Sequence, residues 1–408
     1  MNINCQRLWA SLMEMARLGA TEKGGCNRQA LTDIDRQARD LYISWAKQAG
    51  CVVRIDQMGN VFARRAGKQN DLPVVMTGSH IDTQPTGGKF DGVYGVLAGL
   101  EVIRSLNDHE IETIAPIEAC IWTNEEGARF SPAMIGSGVW AGAFDLQYGH
   151  SRADKTGKTI KAELERIAYL GEVACKPHAV KGFFELHIEQ GPVLESKGLQ
   201  IGVVNGVQGM HWYDLTITGQ PIHAGPTPME DRRDPFVALH HIIAGLYNMA
   251  AEYAPESRIT FGDIKAVPGA RNTVPRQLIL AVDMRHPDQQ MLDEMDGKFR
   301  EIARDECEKW QLTGVISDEW RSPAVTFDKT CQAQVRNAAE HLGYQYIDMF
   351  SGAGHDAVYV SRVVPTSMIF IPCEKGISHN EKENVTEQDV AAGCNVLFHA
   401  MLNMANET

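Results

Sequence analysis

Apolar and polar positions along this chain follow two rhythms. Leu8, Leu12 and Met15 recur at helical spacing, and the 31–49 segment does the same, so the chain is expected to open with two amphipathic helices. Short apolar runs then alternate with helical stretches. Strands are expected at 52–55 and 61–64, on either side of the turn residues Met58-Gly59-Asn60. A buried strand at 74–77 runs into a polar loop, 92–106 resumes helical periodicity, and 117–123 is the next buried strand. This alternation predicts an α/β domain whose sheet is covered on both faces by helices.

The rhythm changes in the middle of the chain. Tyr213, Leu215 and Ile217 alternate with Asp214, Thr216 and Thr218, as in a strand with one wet face. Asp234-Pro235 is an N-cap followed by a first-turn proline, and Leu239, Ile242, Ile243, Leu246 and Met249 form one apolar stripe behind it. Strands near 259–264 and 278–284 follow, then a helix carrying Leu292, Met295, Phe299 and Ile302, then a strand at 314–317. The order β-α-β-β-α-β predicts a smaller α+β domain, a four-stranded antiparallel sheet with two helices on one side. Its expected limits are 211–322. Because 323–408 returns to the first rhythm, this domain is expected to be an insertion, leaving 1–210 and 323–408 as the larger domain.

Composition narrows the function classes. The chain has 408 residues, 44% of them hydrophobic and 22% charged, which is ordinary for a folded protein of two or three domains. Acidic residues outnumber basic ones 52 to 39, giving a net charge of −13, a surface that repels phosphate backbones and anionic lipid. Neither nucleic acid nor a membrane is therefore an expected partner. No apolar run approaches the roughly 18–20 residues of a membrane span. Glu14 and Arg17 interrupt the apolar stretch at the start, so no signal peptide is expected. Nine cysteines without a C-x-x-C fit free thiols in a reducing compartment, and the expectation is a cytoplasmic protein.

Candidate chemistry gathers where strands end. Gly78-Ser79-His80-Ile81-Asp82-Thr83 follows the 74–77 strand, and strand ends in α/β sheets border the crevice where ligands bind. There His80 can bind a metal while Asp82 fixes its ring, or the two can share a structural hydrogen bond. Lys89-Phe90-Asp91-Gly92 precedes the next helix, so Asp91 is either an N-cap or a ligand. Asn124-Glu125-Glu126-Gly127 lies just beyond a buried strand. Adjacent carboxylates there repel unless a cation or a proton intervenes, and a solvated turn is the alternative. His187 sits in the apolar strand Phe184-Glu185-Leu186-His187-Ile188-Glu189-Gln190-Gly191, and His379 follows the apolar 368–372 run. Singly, each histidine reads as structural. Five imidazole and carboxylate groups at strand ends together match what a two-metal site requires.

With Gly87-Gly88-Lys89-Phe90-Asp91-Gly92, Glu125-Glu126-Gly127-Ala128-Arg129-Phe130 and Ser351-Gly352-Ala353-Gly354-His355-Asp356-Ala357 added in this order, the chain resembles the dinuclear-metal aminoacylase and aminopeptidase superfamily. Within it, the chain is most similar to the N-carbamoyl-L-amino acid hydrolases (L-carbamoylases), with β-ureidopropionase and allantoate amidohydrolase as near relatives. The resemblance spans essentially the whole chain. It implies a catalytic domain with a mixed sheet and an inserted lid and dimerisation domain. It also implies two divalent cations per subunit, zinc being the expected metal and manganese, cobalt or nickel also compatible with such ligands.

Carried over to this sequence, the resemblance implies that His80 and His187 bind one metal and Glu126 and His379 the other, with Asp91 bridging. Glu125 is then the general base and Asp82 the residue that orients His80. His187 occupies a position held by a carboxylate in ordinary peptidases of the superfamily, which favours carbamoyl cleavage. In the small domain, His223 matches a lid histidine that reaches the partner subunit's site and stabilises the oxyanion, implying a homodimer. Gln190, Asn272 and Arg285 match substrate contacts, the loop containing Gly354 lines the substrate pocket, and His211 is expected among the substrate-binding residues. On its strand Arg285 faces opposite Val282 and Met284, toward the wetter side, where a guanidinium suits carboxylate capture. Allantoate amidohydrolases carry an arginine pair where this chain has His211 and Trp212, so a small ureido (carbamoyl) acid is the expected substrate. Allantoate, or the amide of an aminoacylase or peptidase substrate, is the alternative. The G-x-G-x-x-A pattern at 352–357 also fits dinucleotide binding, but six residues alone are a weak signal. Neither a G-x-S-x-G elbow nor a G-x-x-x-x-G-K-[ST] loop occurs.

Overall fold

A computed structural model describes residues 1–407. The chain forms two compact units, Met1–Gly206 with Phe327–Thr408, and Val207–Thr326 between them.

The larger unit is built on a mixed sheet in the order Val52–Ile55, Val61–Arg65, Ile117–Trp122, Val74–His80, Val180–Ile188, Thr366–Ile371, Ile201–Val207. The four central strands, from Ile117–Trp122 to Thr366–Ile371, are mutually parallel, and antiparallel strands flank them. The side chains of Val180–Ile188 show how both faces are covered. The Leu186 side chain meets the helix Glu387–Asn406 at Gly393 and its carbonyl faces Gly95 of the helix Val93–Asp108, whereas Glu185 on the opposite face accepts a bond from the Ala357 N–H of the short helix Asp356–Val360. The helices Val93–Asp108 and Glu387–Asn406 are apolar nearly all round and almost wholly buried, as such helices must be. The amphipathic helix Asp33–Gln48, capped by Thr32, instead ties down with a fully buried Asp35–Arg39 pair at 2.9 Å, and Arg39 reaches the Gly59 carbonyl of the expected turn.

One strand departs from expectation in a way that matters. Val74–His80 continues three residues past Thr77, with all seven residues buried. Gly78-Ser79 reads as the start of a loop, but the Ser79 hydroxyl is satisfied inside the sheet by Glu185 Oε1 at 2.7 Å. A buried polar group with a partner has no reason to leave.

The smaller unit carries a four-stranded antiparallel sheet in the order Thr313–Ser322, Gly209–Thr218, Gln277–His286, Arg258–Val267. Tyr213, Leu215, Ile217, Leu278, Leu280, Val282 and Met284 pack in one core with Leu239, Ile242, Leu246 and Met249 of the helix Pro235–Glu252 and with Leu292, Met295 and Phe299 of the helix Gln289–Lys309. A two-stranded ribbon, Ile222–His223 with Thr273–Val274, accompanies it. Among the described residues no helix is long and apolar enough to cross a membrane.

Candidate metal centre

The carboxyl ends of the four parallel strands converge, and the larger unit places its candidate residues there. His80 ends Val74–His80, Glu125 and Glu126 follow Ile117–Trp122, His187 is the penultimate residue of Val180–Ile188, and His379 lies in the loop after Thr366–Ile371. Asp91 enters from the loop before the helix Val93–Asp108. It does not cap that helix: the N-cap is Gly92, at φ +67°, with no side-chain bond. A Cβ at position 92 would stand 2.3 Å from His80 Nε2, so only glycine fits between the helix and the imidazole.

Asp91 divides its two oxygens. Oδ1 lies 3.1 Å from His187 Nε2 and 3.6 Å from His80 Nε2, while Oδ2 lies 3.4 Å from His379 Nε2. His379 Nε2 is in turn 3.3 Å from Glu126 Oε2. Two groups of ligand atoms therefore share Asp91: His80 with His187, and Glu126 with His379. Each of the first pair donates its Nδ1–H to a backbone carbonyl, His80 to Asp82 and His187 to Ile188, both at 2.9 Å. That turns Nε2 toward the site, the nitrogen that can bind a cation in place of a proton. His379 differs, being half exposed and at φ +52°.

Glu125 Oε2 approaches His80 Nε2 at 3.4 Å. The Asp82 carboxylate serves mainly the other side of the site: it accepts the N–H groups of Glu125 and Glu126 at 3.2 Å each and lies 3.9 Å from His80 Nδ1, so its hold on His80 runs through its carbonyl. Asn124 and Gln190, next to these groups, also adopt left-handed backbone, each at about 1–3 kcal/mol of strain.

Electrostatics marks the cluster as short of positive charge. Burial pushes Glu125 well above the ordinary carboxylate range, and Asp356, Glu126, Asp82 and Asp91 push it further. Glu126 is raised by burial and by Asp91 and Asp82. Asp82 is raised to about 7 by burial and by Asp35. Burial alone would raise Asp91, but the hydrogen bond and charge of His187, with His80 and His379, hold it well below. Burial drops His80 to about 4; it would also lower His187, but the bond to Asp91 carries that ring to about 9. Buried carboxylates held so close require a proton or a cation between them.

The donor set fits a divalent cation. In tetrahedral coordination at about 2.0–2.1 Å, neighbouring ligand atoms stand about 3.3 Å apart; the His80, His187 and His379 nitrogens stand 3.1 to 3.6 Å from the Asp91 oxygens, His379 stands 3.3 Å from Glu126, and all ligand atoms of each group lie within 4.8 Å of one another. Sequence reasoning missed three residues that surround the ligands. Gln84 donates to Glu126 through its backbone and its amide, at 3.1 and 2.7 Å, while Ser378 and Glu383 lie behind Asp91. The signal for Gln84 was its place two residues beyond Asp82, and for the other two their closeness to His379. Gln190 donates to Asp91 Oδ2 at 3.0 Å, and its Oε1 is buried without a donor. Gly354 lies in the loop before the helix Asp356–Val360, and the ring of the adjacent His355 stands 4.6 Å from that of His187.

In the smaller unit His223 and Asn272 are brought together: Ala224 N–H donates to the Asn272 carbonyl, and His223 pairs with Thr273. His223 is exposed, and its Nδ1 accepts from Gly225 N–H at 3.1 Å. Arg285 does face the side of its strand away from the helices, where Asp283 binds its guanidinium at 2.7 Å. His211 and Trp212 part company. His211 points to the helix-covered face, buried, with Nδ1 2.9 Å from the Tyr213 hydroxyl, whereas Trp212 is exposed beside Trp320, ring centroids 5.0 Å apart. His211 and Arg285 occupy opposite faces of the sheet.

A mixed sheet with histidines and carboxylates gathered at the carboxyl ends of its parallel strands defines a hydrolase with a divalent-metal site. The chain belongs to Peptidase family M20/M25/M40, which matches residues 76–403. It is 45% identical over 403 residues to the N-carbamoyl-L-amino-acid amidohydrolase of Rhizobium meliloti, covering 99% of this chain and 97% of that protein. It is 32% identical to the allantoate amidohydrolase of Bacillus subtilis, covering 96% and 95%. A crystal structure of an amidase of the hydantoinase/carbamoylase family from Burkholderia multivorans superposes with a TM-score of 0.97 at 52% identity, covering 100% of this chain and 99% of that one. The chain is thus similar over its full length to amidohydrolases.

Proposed function

We propose that this protein hydrolyses the carbamoyl C–N bond of N-carbamoyl (ureido) amino acids, releasing the free amino acid and a carbamate that breaks down to carbon dioxide and ammonia. The observation that carries the reading is Asp91 set between two histidine-bearing groups, with the Glu125 carboxylate alongside. Support for the carbamoyl substrate comes from His187, an imidazole where a peptidase has a carboxylate, and from the relative that bears this activity in its name.

In this reading His80, Asp91 and His187 hold one divalent cation, and Asp91, Glu126 and His379 a second. Zinc is the favoured metal, because imidazole and carboxylate ligands at these spacings suit it. When bound, such a pair lowers the pKa of water toward about 7 and polarises a carbonyl oxygen. Glu125 takes the proton from the attacking water and returns it to the leaving nitrogen. Gln190, whose Oε1 is a buried acceptor with no donor, is suited to receive a substrate N–H. Arg285 and Asn272, with the Gly354 loop, bind the substrate carboxylate, and His223 donates to the oxyanion from a partner subunit, making the working form a homodimer. His211 supports the sheet that carries these contacts. Nine free thiols, seven of them buried, favour the cytoplasm.

A relative named as an allantoate amidohydrolase supports allantoate as a second substrate. Trp212 on the open face, in place of an arginine, weighs against it. The deciding experiment is a hydrolysis panel on zinc- and manganese-reconstituted protein, spanning N-carbamoyl, N-formyl and N-acetyl amino acids, 3-ureidopropionate and allantoate. The expected result is a preference for ureido acids that chelators abolish and added metal restores. A preference for acetyl substrates, or full activity after chelation, overturns the proposal.

A further inference from the structure

Glu383 stands outside the ligand set, yet it is 2% exposed and lies against the loop that carries Asp91. Its Oε1 accepts two backbone N–H groups, from Phe90 at 2.9 Å and from Asp91 itself at 3.1 Å. Both precede the helix Val93–Asp108, whose N-cap offers no side chain, so these donors depend on an acceptor 293 and 292 positions away in the chain. Glu383 Oε2 lies 3.1 Å from the Ser378 hydroxyl, which is also 3.2 Å from Asp91 Oδ2. Gln190 Nε2 reaches both Ser378 Oγ and Asp91 Oδ2 at 3.0 Å. A serine has one proton to give, so Ser378 donates to one carboxylate at a time while accepting from Gln190.

The loop is moulded on this carboxylate. A Cβ at Gly88 would stand 2.1 Å from Glu383 Oε1, which leaves room for nothing larger than glycine. With Oε1 engaged by two backbone donors and Oε2 beside the shared Ser378 hydroxyl, Glu383 is poorly placed to bind a cation, and it belongs to neither group of converging ligand atoms.

We propose that Glu383 is a positioning residue for the metal centre: it fixes the 88–91 loop and, through Ser378, the outer oxygen of Asp91, so that Asp91 presents one oxygen to each histidine group. The inference deepens the two-cation reading above and rests on it. Partners of metal ligands, when removed, commonly cost about 10- to 100-fold in metal affinity or activity.

The test uses the full chain reconstituted with manganese, comparing the parent with Glu383→Ala, Glu383→Gln and Ser378→Ala. Bound metal is counted by elemental analysis across a titration, and electron paramagnetic resonance reads the magnetic coupling of two ions that share a carboxylate. Glu383→Ala is expected to bind one of the two ions about 10- to 100-fold more weakly and to show uncoupled manganese. Glu383→Gln, whose amide oxygen can still accept the two N–H groups, should restore the coupled signal, and Ser378→Ala should fall between. A Glu383→Ala protein that melts lower but keeps parental affinity and coupling has lost only structural support, and overturns the proposal. If that variant does not fold, parental affinity and coupling in Ser378→Ala overturn it instead. A parent that takes up no coupled pair overturns the two-cation reading, and this inference with it.

Discussion

The two units hold their candidate residues by different means. In the larger unit His80, Asp91, Glu125 and His187 are buried; the two histidines bond to neighbouring carbonyls, but Asp91 and the backbone of Glu125 and Glu126 are bound from distant parts of the chain, by Gln190 and Glu383 and by Asp82. In the smaller unit two bonds are local: Asp283 binds Arg285 from two residues away, and His223 accepts from Gly225 two residues on. In the first arrangement Asp91 and the Glu125–Glu126 backbone are held by several elements at once. A local bond of the second kind can be exchanged by rotating a side chain, which suits groups that must engage and release a substrate.

The sharpest way to break this contrast is Glu125→Gln. If the preassembled cluster performs the proton transfer, the variant keeps its metal content and melting temperature while kcat on an N-carbamoyl amino acid falls by about 10²–10⁴-fold. Steady-state kinetics with metal analysis decides it, and a parental kcat removes Glu125 from the mechanism. A smaller effect is expected at Arg285. Arg285→Lys keeps the charge but loses the planar fork, and should raise KM by about 10- to 100-fold with kcat little changed, the scale of a charge-assisted hydrogen bond. A fall in kcat with unchanged KM would mean that Arg285 acts in the chemical step.

The smallest effect sharpens the comparison within the larger unit. Glu118 is also fully buried on the sheet, but His178 and Arg54 bind it, the latter at 2.9 Å. Burial alone would raise it; these two partners outweigh burial and hold it below the ordinary carboxylate range. A depressed carboxylate adds stability that is complete above its unfolded value and fades as pH falls through its folded one. Glu118→Gln should therefore cost about 1.5–3 kcal/mol at neutral pH, and the deficit should shrink in acid, with kcat unaffected. Denaturant unfolding across pH checks it; a deficit that grows in acid contradicts the assignment.

Much of this was legible in one dimension. Periodicity announced the α/β alternation and the β-α-β-β-α-β order, because a residue's face follows from its spacing along a strand or helix. Paired glutamates and lone histidines directly after apolar runs pointed to a crevice, because parallel strands deliver their carboxyl ends to one edge. Pairing across the chain carries no such local mark. Glu383 looks like an ordinary polar residue after a histidine, and only folding brings it to the backbone of Asp91. His211 and Trp212 are neighbours in sequence and separated by a sheet in space, because alternate strand residues face opposite ways and only the position of the helices says which way is inward. The residue types and their order thus came from the sequence. Which oxygen of Asp91 faces which histidine, and what holds it there, was decided by tertiary packing, since those bonds join segments whose separation no spacing rule spans.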